Sequence, residues 1–379
     1  MKKLLIVGAS GSIGKQTVDV CEKHPDELKI SGVAVGYNTD SLLEVLSNHD
    51  VEYAYSREKR PELEMLFPNV KFYYGEEGLI DIVKEADYDV LVNALVGFVG
   101  LMPTIEAIKR HKDVALANKE SLVVAGDIVK GLVKETGVNL WPIDSEHSAI
   151  WQCLQGSSLK DVNKLIITAS GGAFRDLYRN QLASVTLEQA LAHPTWDMGE
   201  KITIDSATMM NKGFEIMEAH YLFDIDYDDI DVVIHDESIV HSMVEYKDGS
   251  VLAQMSHPDM RIPIQYALLQ PSHQESPYEK KLDLASIGEL HFRKMDYERY
   301  PLVKIVKDIG KFGGNIGSII NGANDEAVDM FIKGSISFLD IEEAVKFALR
   351  SIPYKKDASL DDIIRSNKEA RDLVKALFK

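Results

Sequence analysis

Residues 1–140 alternate short β-rich apolar runs with stretches of helical periodicity, and this alternation restricts the fold more than any other feature of the chain. The strand-like runs are Leu4 to Val7, Ile30 to Val35, Val51 to Tyr55, Val90 to Ala94, Val114 to Ala117 and Val138 to Trp141. Helical patterns fall between them, as in Leu42-Leu43-Val45-Leu46, Leu79-Ile80-Ile82-Val83 and Ile128-Val129-Leu132-Val133. Strand-helix repetition of this kind builds a Rossmann-like, doubly wound parallel sheet, whose ligands sit at the carboxyl ends of its strands. From residue 148 the rhythm changes. A helix is expected at Ala149 to Leu154. The strand Leu165 to Thr168 breaks at Gly171-Gly172, and the runs Val232 to Ile234, Ile239-Val240 and Val251 to Ala253 suggest a mixed or antiparallel sheet. Pro271, Ser272, Ser276 and Pro277 mark a linker over 270–295. Beyond it the chain reads as helical, with Asp340/Glu343 and Ser359/Asp362 at capping-box spacing, and no internal repeat is evident. The expected class is α/β: a Rossmann-like domain over 1–145, a central α/β domain with a mixed sheet over 146–269, the linker, and a C-terminal helical domain over 296–379.

A chain of 379 residues exceeds the roughly 100–200 of one domain, so two or three are expected. Its formal charge of −18 argues against nucleic acid or an anionic membrane as partner, because both need a basic footprint. An anionic small molecule would need a local basic pocket. Cys21 and Cys153 alone allow neither a disulfide framework nor a cysteine metal site, and they fit a reducing compartment. The apolar run after Lys2-Lys3 ends at Gly8, too short for export, and no stretch of about 18 apolar residues occurs; a cytoplasmic location is expected.

Gly8-Ala9-Ser10-Gly11-Ser12-Ile13-Gly14 follows the first strand and opens a helix. Its glycines allow a tight turn and close approach to a pyrophosphate, which the helix N-terminus stabilises. The spacing is G-x-x-G-x-x-G and not the G-x-G-x-x-G fingerprint, so a purely structural turn is the competing reading. After the second strand the chain reads Gly36-Tyr37-Asn38, with no acid to select NAD and no cation to receive a 2′-phosphate; Arg57 and Lys59, after the third strand, are substitutes for the latter.

Asp144-Ser145-Glu146-His147 closes the run Val138 to Ile143. In an extended segment Asp144 and Glu146 would point to one side, and two carboxylates so close call for a proton or a cation between them. Oxygen-only ligation favours magnesium or manganese over zinc. A solvated acidic loop is the bland alternative. A third ligand is offered by Asp205 to Glu215: on a helix Asn211 and Glu215 share a face, Lys212 meets Glu215, and Ser206, Asn211 and Lys212 make a phosphate cradle. A surface Lys-Glu pair would explain the same spacing. Ser170 lies in a small-residue turn that suits an anion or merely a turn. His193 to Gly199 suits a lid, although Trp196 could simply fill a core edge. His147 reads as a supporting or core histidine. Asn118-Lys119-Glu120 stands at the carboxyl edge of a strand, where a lysine could reach a substrate oxygen.

Taken together, GASGSIG, ALANKESLV, PIDSEHSAIWQ, ITASGGAFRD, HPTWDMGEKITIDSATMMNKGFEIMEAHYLF, HPDMRIPIQYAL and NGANDEAV closely resemble the 1-deoxy-D-xylulose 5-phosphate reductoisomerase family from end to end. The resemblance implies an NADPH-dependent enzyme of the non-mevalonate isoprenoid pathway that forms 2-C-methyl-D-erythritol 4-phosphate, working as a V-shaped homodimer with a cofactor domain, a central catalytic and dimerisation domain, and helical C-terminal domain. By motif, Asp144, Glu146 and Glu215 would ligate Mg2+ or Mn2+. Ser170, Ser206, Asn211 and Lys212 would hold the substrate phosphate, while Ser145, Lys119 and His193 contact the rest of the sugar phosphate. Ser10, Gly11, Ser12, Ile13, Gly36, Asn38, Asn118, Glu120 and Gly199 would line the cofactor, with Tyr37 where many relatives carry a basic residue. Trp196 and Met198 would belong to a lid near 190–200. The rearrangement would proceed by retro-aldol cleavage and rejoining or by an α-ketol shift, before NADPH reduces the aldehyde. Two readings from other classes stay open on the residues alone: a metal-dependent isomerase or aldolase without redox chemistry, and a non-catalytic nucleotide sensor.

Overall fold

The structure is a computed structural model that describes residues 1–196, 198–275 and 281–379. It packs as two compact units. The first comprises Met1–Ser121, Val129–Ser148 and Asp259–Glu279, and the second Leu122–Ile128, Ala149–Pro258 and Lys280–Lys379.

The first unit is built on seven parallel strands in the order β4-β3-β2-β1-β5-β6-β7. They are β1 (Lys2–Val7), β2 (Leu28–Ala34), β3 (Tyr53–Ser56), β4 (Lys71–Tyr74), β5 (Val90–Asn93), β6 (Asp113–Leu116) and β7 (Leu140–Pro142). The crossovers are α1 (Ser12–Lys23), α2 (Thr39–Asn48), α3 (Pro61–Leu66), α4 (Gly75–Glu85), α5 (Leu101–Lys109) and α6 (Glu120–Thr136), and α7 (Ser145–Cys153) follows the last strand. Leu4, Ile6, Ile30, Val33, Val90 and Val92 are buried because helices cover both faces of the sheet, which is why these strands read as unbroken apolar runs. Successive strands run outward from β1 in both directions, β2 to one side and β5 to the other, so their carboxyl ends part beside β1 and form the crevice where such sheets bind ligands. The alternation therefore predicts the sheet correctly. It misses β4, whose Lys-Phe-Tyr-Tyr is partly exposed as an edge strand must be.

The second unit holds a mixed sheet, ordered β11-β10-β8-β9-β12. Its strands are β8 (Val162–Ala169), β9 (Ile230–Ile234), β10 (Val240–Tyr246), β11 (Val251–Met255) and β12 (Arg293–Lys294). Parallel β8 and β9 lie between antiparallel partners. Between β8 and β9 run α8 (Leu187–Leu191), α9 (Glu200–Thr208) and α10 (Met210–Phe223). After β11, α11 (Arg261–Leu269) packs in the first unit, where Arg261 reaches Asp19 at 2.9 Å and the Lys2 ammonium donates to the Leu268 carbonyl. The stretch 270–295 is not featureless: α12 (Leu284–Ile287) and β12 lie in it, and Ser276 and Pro277 lie outside the described residues. Helices α13 (Pro301–Ile309), α14 (Ile316–Ile332), α15 (Asp340–Ser351) and α16 (Leu360–Leu377) complete the unit. The Ser359–Asp362 capping box forms as the spacing predicts. At α15 the expected box shifts back by one turn: Asp340 is the first helical residue, and its carboxylate accepts from the amide and hydroxyl of Ser337. Among the described residues no helix is long and apolar enough to cross a membrane.

Candidate active site

In the first unit, the loop from Gly8 to Ser12 leaves β1 and enters α1. Gly8 takes φ +88°, and a Cβ there would sit 2.5 Å from the Ala94 carbonyl oxygen; on Gly14 a Cβ would meet the Gly8 oxygen at 2.3 Å. The loop is thus folded tightly against the end of β5, and only glycine fits at either position. Gly11 is the N-cap of α1 and no side chain caps the helix, which leaves its amide-rich N-terminus to an anion. Ser10 is half-buried, Gly11 and Ser12 are exposed and Ile13 packs on the core. Gly36 and Tyr37 follow β2, and Asn38 caps α2 by accepting from the Ser41 amide.

Asn118 and Glu120 hold the local backbone. Asn118 Nδ2 donates to the carbonyls of Leu95 and Gly97, each at 2.9 Å, and to Glu120, whose other oxygen accepts from the Gly97 amide. Between them Lys119 is buried and reaches Asp144 Oδ2 at 2.5 Å, while His147 Nδ1 stands 3.2 Å from Asp144 Oδ1. Burial alone would raise the Asp144 carboxyl, but Lys119 and then His147 outweigh it and hold the group well below the usual carboxylate range. Asp144 therefore stays an anion with a cation beside it.

The geometry corrects one expectation. Asp144 and Glu146 are not in an extended segment, because α7 begins at Ser145: Asp144 Oδ1 accepts from the Glu146 amide at 3.1 Å and its carbonyl from the Ser148 amide at 2.8 Å. Asp144 is an N-cap, and Glu146 lies in the first turn with the Ser145 hydroxyl donating to it at 2.5 Å. A helix start brings the two carboxylates to one end as an extended strand would have done, for a different reason. His147 is fully buried, as a supporting histidine should be.

In the second unit, β8 ends at Ala169 and Ser170 opens a turn with Gly171 and Gly172 both at positive φ. A Cβ on Gly172 would stand 2.5 Å from the Ser206 oxygen, so this turn rests directly on the last residues of α9. The chain breaks between α9 and α10 at Met209, which adopts φ +61°. The break sets Ser206 on one side and Asn211, Lys212 and Glu215 on the other; Ser206, Lys212 and Glu215 are buried. As the spacing predicts, Asn211 donates to Glu215 Oε1 at 2.6 Å and Lys212 pairs with its other oxygen.

His193, Trp196, Met198 and Gly199 lie in an irregular stretch between α8 and α9; Asp197 of the same stretch is outside the described residues. The amides of Thr195 and Trp196 donate to His193 Nδ1 at 3.2 and 3.0 Å, so that nitrogen carries no proton and Nε2–H donates to Ser170 Oγ at 3.0 Å. Burial, with Arg175 nearby, lowers the imidazole to about 4. His193 is a neutral donor.

Several buried polar residues escape a reading by motif. Asp205, next to Ser206, accepts from Asn324 at 2.7 Å and from Lys201 at 2.9 Å; Lys201 and Arg371 also reach Asp325, at 3.1 and 2.6 Å. Arg175 binds the carbonyls of Ser170 and Asp236. Glu218 is fully buried one turn past Glu215. The sequence carries one signal of this network, the polar Asn321, Asn324 and Asp325 within a largely apolar helix.

Family models described as 1-deoxy-D-xylulose 5-phosphate reductoisomerase match residues 4–126, and models of its C-terminal domain match 140–223 and 255–373. The chain is 49% identical over 385 residues to the 1-deoxy-D-xylulose 5-phosphate reductoisomerase of Bacillus pumilus and 47% identical over 381 residues to that of Listeria monocytogenes serotype 4b, covering 100% of each chain in both cases. It is similar in structure to the reductoisomerase of Zymomonas mobilis in complex with NADPH, with a TM-score of 0.93 and 37% identity over 100% of this chain and 99% of that one. A solved DOX-P reductoisomerase in complex with NADPH, fosmidomycin and magnesium matches with a TM-score of 0.93 and 36% identity, over 99% of this chain and 98% of that one. Agreement over the whole length of both chains, in sequence and in backbone, leaves a single assignment: the chain belongs to the 1-deoxy-D-xylulose 5-phosphate reductoisomerase family.

Proposed function

We propose that this chain catalyses the NADPH- and divalent-metal-dependent rearrangement and reduction of 1-deoxy-D-xylulose 5-phosphate to 2-C-methyl-D-erythritol 4-phosphate. The observation that carries this reading is the full-length match to reductoisomerases, including one solved with NADPH and magnesium. Asp144, Glu146 and Glu215 are assigned to the metal. The donor set fits a hard cation: it is oxygen only, and Lys119 beside Asp144 keeps that carboxyl ionised, the form in which it can ligate. When bound, the ion supplies a Lewis acid to adjacent substrate oxygens and NADPH supplies the hydride.

The chain's own residues bind, orient and exclude water. Ser170, Ser206, Asn211 and Lys212 receive the phosphate: Ser170 Oγ accepts from His193 Nε2 and the Gly172 amide, which leaves its hydroxyl proton to donate to an anion. Lys119 neutralises Asp144 and, with Ser145 and His193, faces the sugar. Asn118 and Glu120 serve the cofactor through the backbone they brace. Ser10 to Ile13, Gly36 to Asn38 and Gly199 line it directly, and Trp196 and Met198 close over the reacting centre. We assign cofactor binding to 1–145, catalysis and homodimer formation to 146–269, and a helical support to 296–379, in a cytoplasmic enzyme.

The test follows NADPH absorbance with the purified chain, the sugar phosphate and Mg2+ or Mn2+. Oxidation that requires all three supports the assignment. Sugar turnover without NADPH consumption would favour an isomerase, and NADPH binding without any turnover a nucleotide sensor.

A further inference from the structure

We propose that Arg57 recognises the adenosine 2′-phosphate of NADPH, with Glu76 as an internal competitor for the same guanidinium, so that this pair sets the preference over NADH. The proposal deepens the NADPH reading above and rests on it.

In a doubly wound sheet the adenosine ribose lies beyond the carboxyl end of the second strand, where an acid selects NAD and a nearby arginine accommodates the extra phosphate of NADP. Here that edge is Gly36-Tyr37-Asn38. It carries no acid to repel a phosphate and no charge to attract one: Tyr37 is 69% exposed, and the side-chain oxygen of Asn38 is engaged in capping α2. A cation tied to this edge by the backbone is Arg57. It follows β3, the neighbour of β2, and its amide donates to the Gly36 carbonyl at 3.0 Å, which ties its backbone to the ribose edge. Its guanidinium is partly exposed and pairs with Glu76 at 2.5 Å; the Glu76 side chain is 83% exposed in the first turn of α4. The other cations of this edge are held elsewhere. Lys59 lies over the Tyr74 ring and 3.7 Å from Glu64, and Arg60 pairs with Glu58 at 3.0 Å.

An exposed ion pair is weak, whereas a phosphate offers a guanidinium three oxygens and up to two charges in bidentate geometry. A 2′-phosphate can therefore displace Glu76 from Arg57, and Glu76 weakens the nucleotide by competing. Substitutions at the two positions must then act in opposite directions, which mere damage to this edge would not produce.

The test is calorimetric titration of the full-length protein with 2′,5′-ADP and 5′-AMP as probes of the 2′-phosphate, and with NADPH and NADH. Arg57→Ala is expected to weaken 2′,5′-ADP and NADPH roughly ten- to hundredfold, the value of a hydrogen-bonded charge, and to leave 5′-AMP and NADH unchanged. Glu76→Gln should tighten the two phosphorylated ligands by about two- to fivefold. A wild-type protein that prefers NADPH while Arg57→Ala keeps that preference, or an Arg57→Ala variant that loses 5′-AMP equally, overturns the proposal and leaves the NADPH reading standing. Wild-type protein that binds NADPH and NADH alike overturns that reading, and Arg57 with it.

Discussion

Gly172→Ala tests how the anion cradle is assembled, because two separate penalties can be worked out for it. Gly172 sits at φ +70°, where a Cβ costs roughly 1–2 kcal/mol against its own backbone. The added carbon would also stand 2.5 Å from the Ser206 oxygen and 2.7 Å from the Ala207 Cα, contacts with backbone that no rotamer change relieves. Overpacking of that kind costs typically about 1–3 kcal/mol. The sum, roughly 2–5 kcal/mol, corresponds to a fall in Tm of roughly 5–15 °C for a unit of this size. Relief of the overlap moves the Ser170 turn away from α9, so KM for the sugar phosphate should rise about tenfold or more while NADPH affinity holds. Gly156→Ala is the matched control: its φ is +78°, but nothing lies within 4 Å of the added Cβ, so it carries the backbone penalty alone. Differential scanning fluorimetry and steady-state kinetics on both variants decide the matter. Equal Tm shifts for the two, or an unchanged substrate KM in Gly172→Ala, would refute the reasoning.

Three further outcomes follow from the same geometry. Glu215→Gln should abolish turnover and leave NADPH affinity, read by nucleotide fluorescence, within about twofold, because it removes charge from the proposed metal site and not from the nucleotide loop; equal loss of both would show the residue to be misassigned. His193, at about 4 in the folded chain against its ordinary 6.5, is depressed, so its stabilising effect is complete above pH 6.5 and is lost as pH falls from there toward 4. Tm measured against pH should flatten over that window in His193→Gln, and a His193 imidazole titrating near 6.5 by NMR would contradict the assignment. Asn324→Leu leaves one oxygen of buried Asp205 without its 2.7 Å donor, and thermal denaturation should show a loss of roughly 1.5–3 kcal/mol.

The legible parts of this protein are those in which local pattern and tertiary role coincide. A strand covered on both faces must be apolar throughout, so β1, β2, β5 and β6 announce themselves; β4, half exposed at the sheet edge, does not. Asn211, Lys212 and Glu215 could be grouped from spacing because one helix carries all three. The start of α7 was not legible: the preceding apolar residues predict continued extension past Asp144, whereas that aspartate caps the helix. Asn38, Asn118 and Glu120 are implied as cofactor residues by the family resemblance, and their side-chain duty to the backbone could not be seen without the carbonyls and amides they serve.

By itself the sequence determined the strand-helix rhythm, the glycine turn at the head of α1 and the inventory of oxygen donors, because each is a property of residues close together along the chain. Folding alone decided that Lys119 would neutralise Asp144, that Gly172 would rest on Ser206, and that Asp205 would find its donor in Asn324. Those partners lie far apart in sequence. What joins them is burial: a charge or a polar group taken out of water must be met by whatever residue the topology brings beside it, and no local pattern records which one that will be.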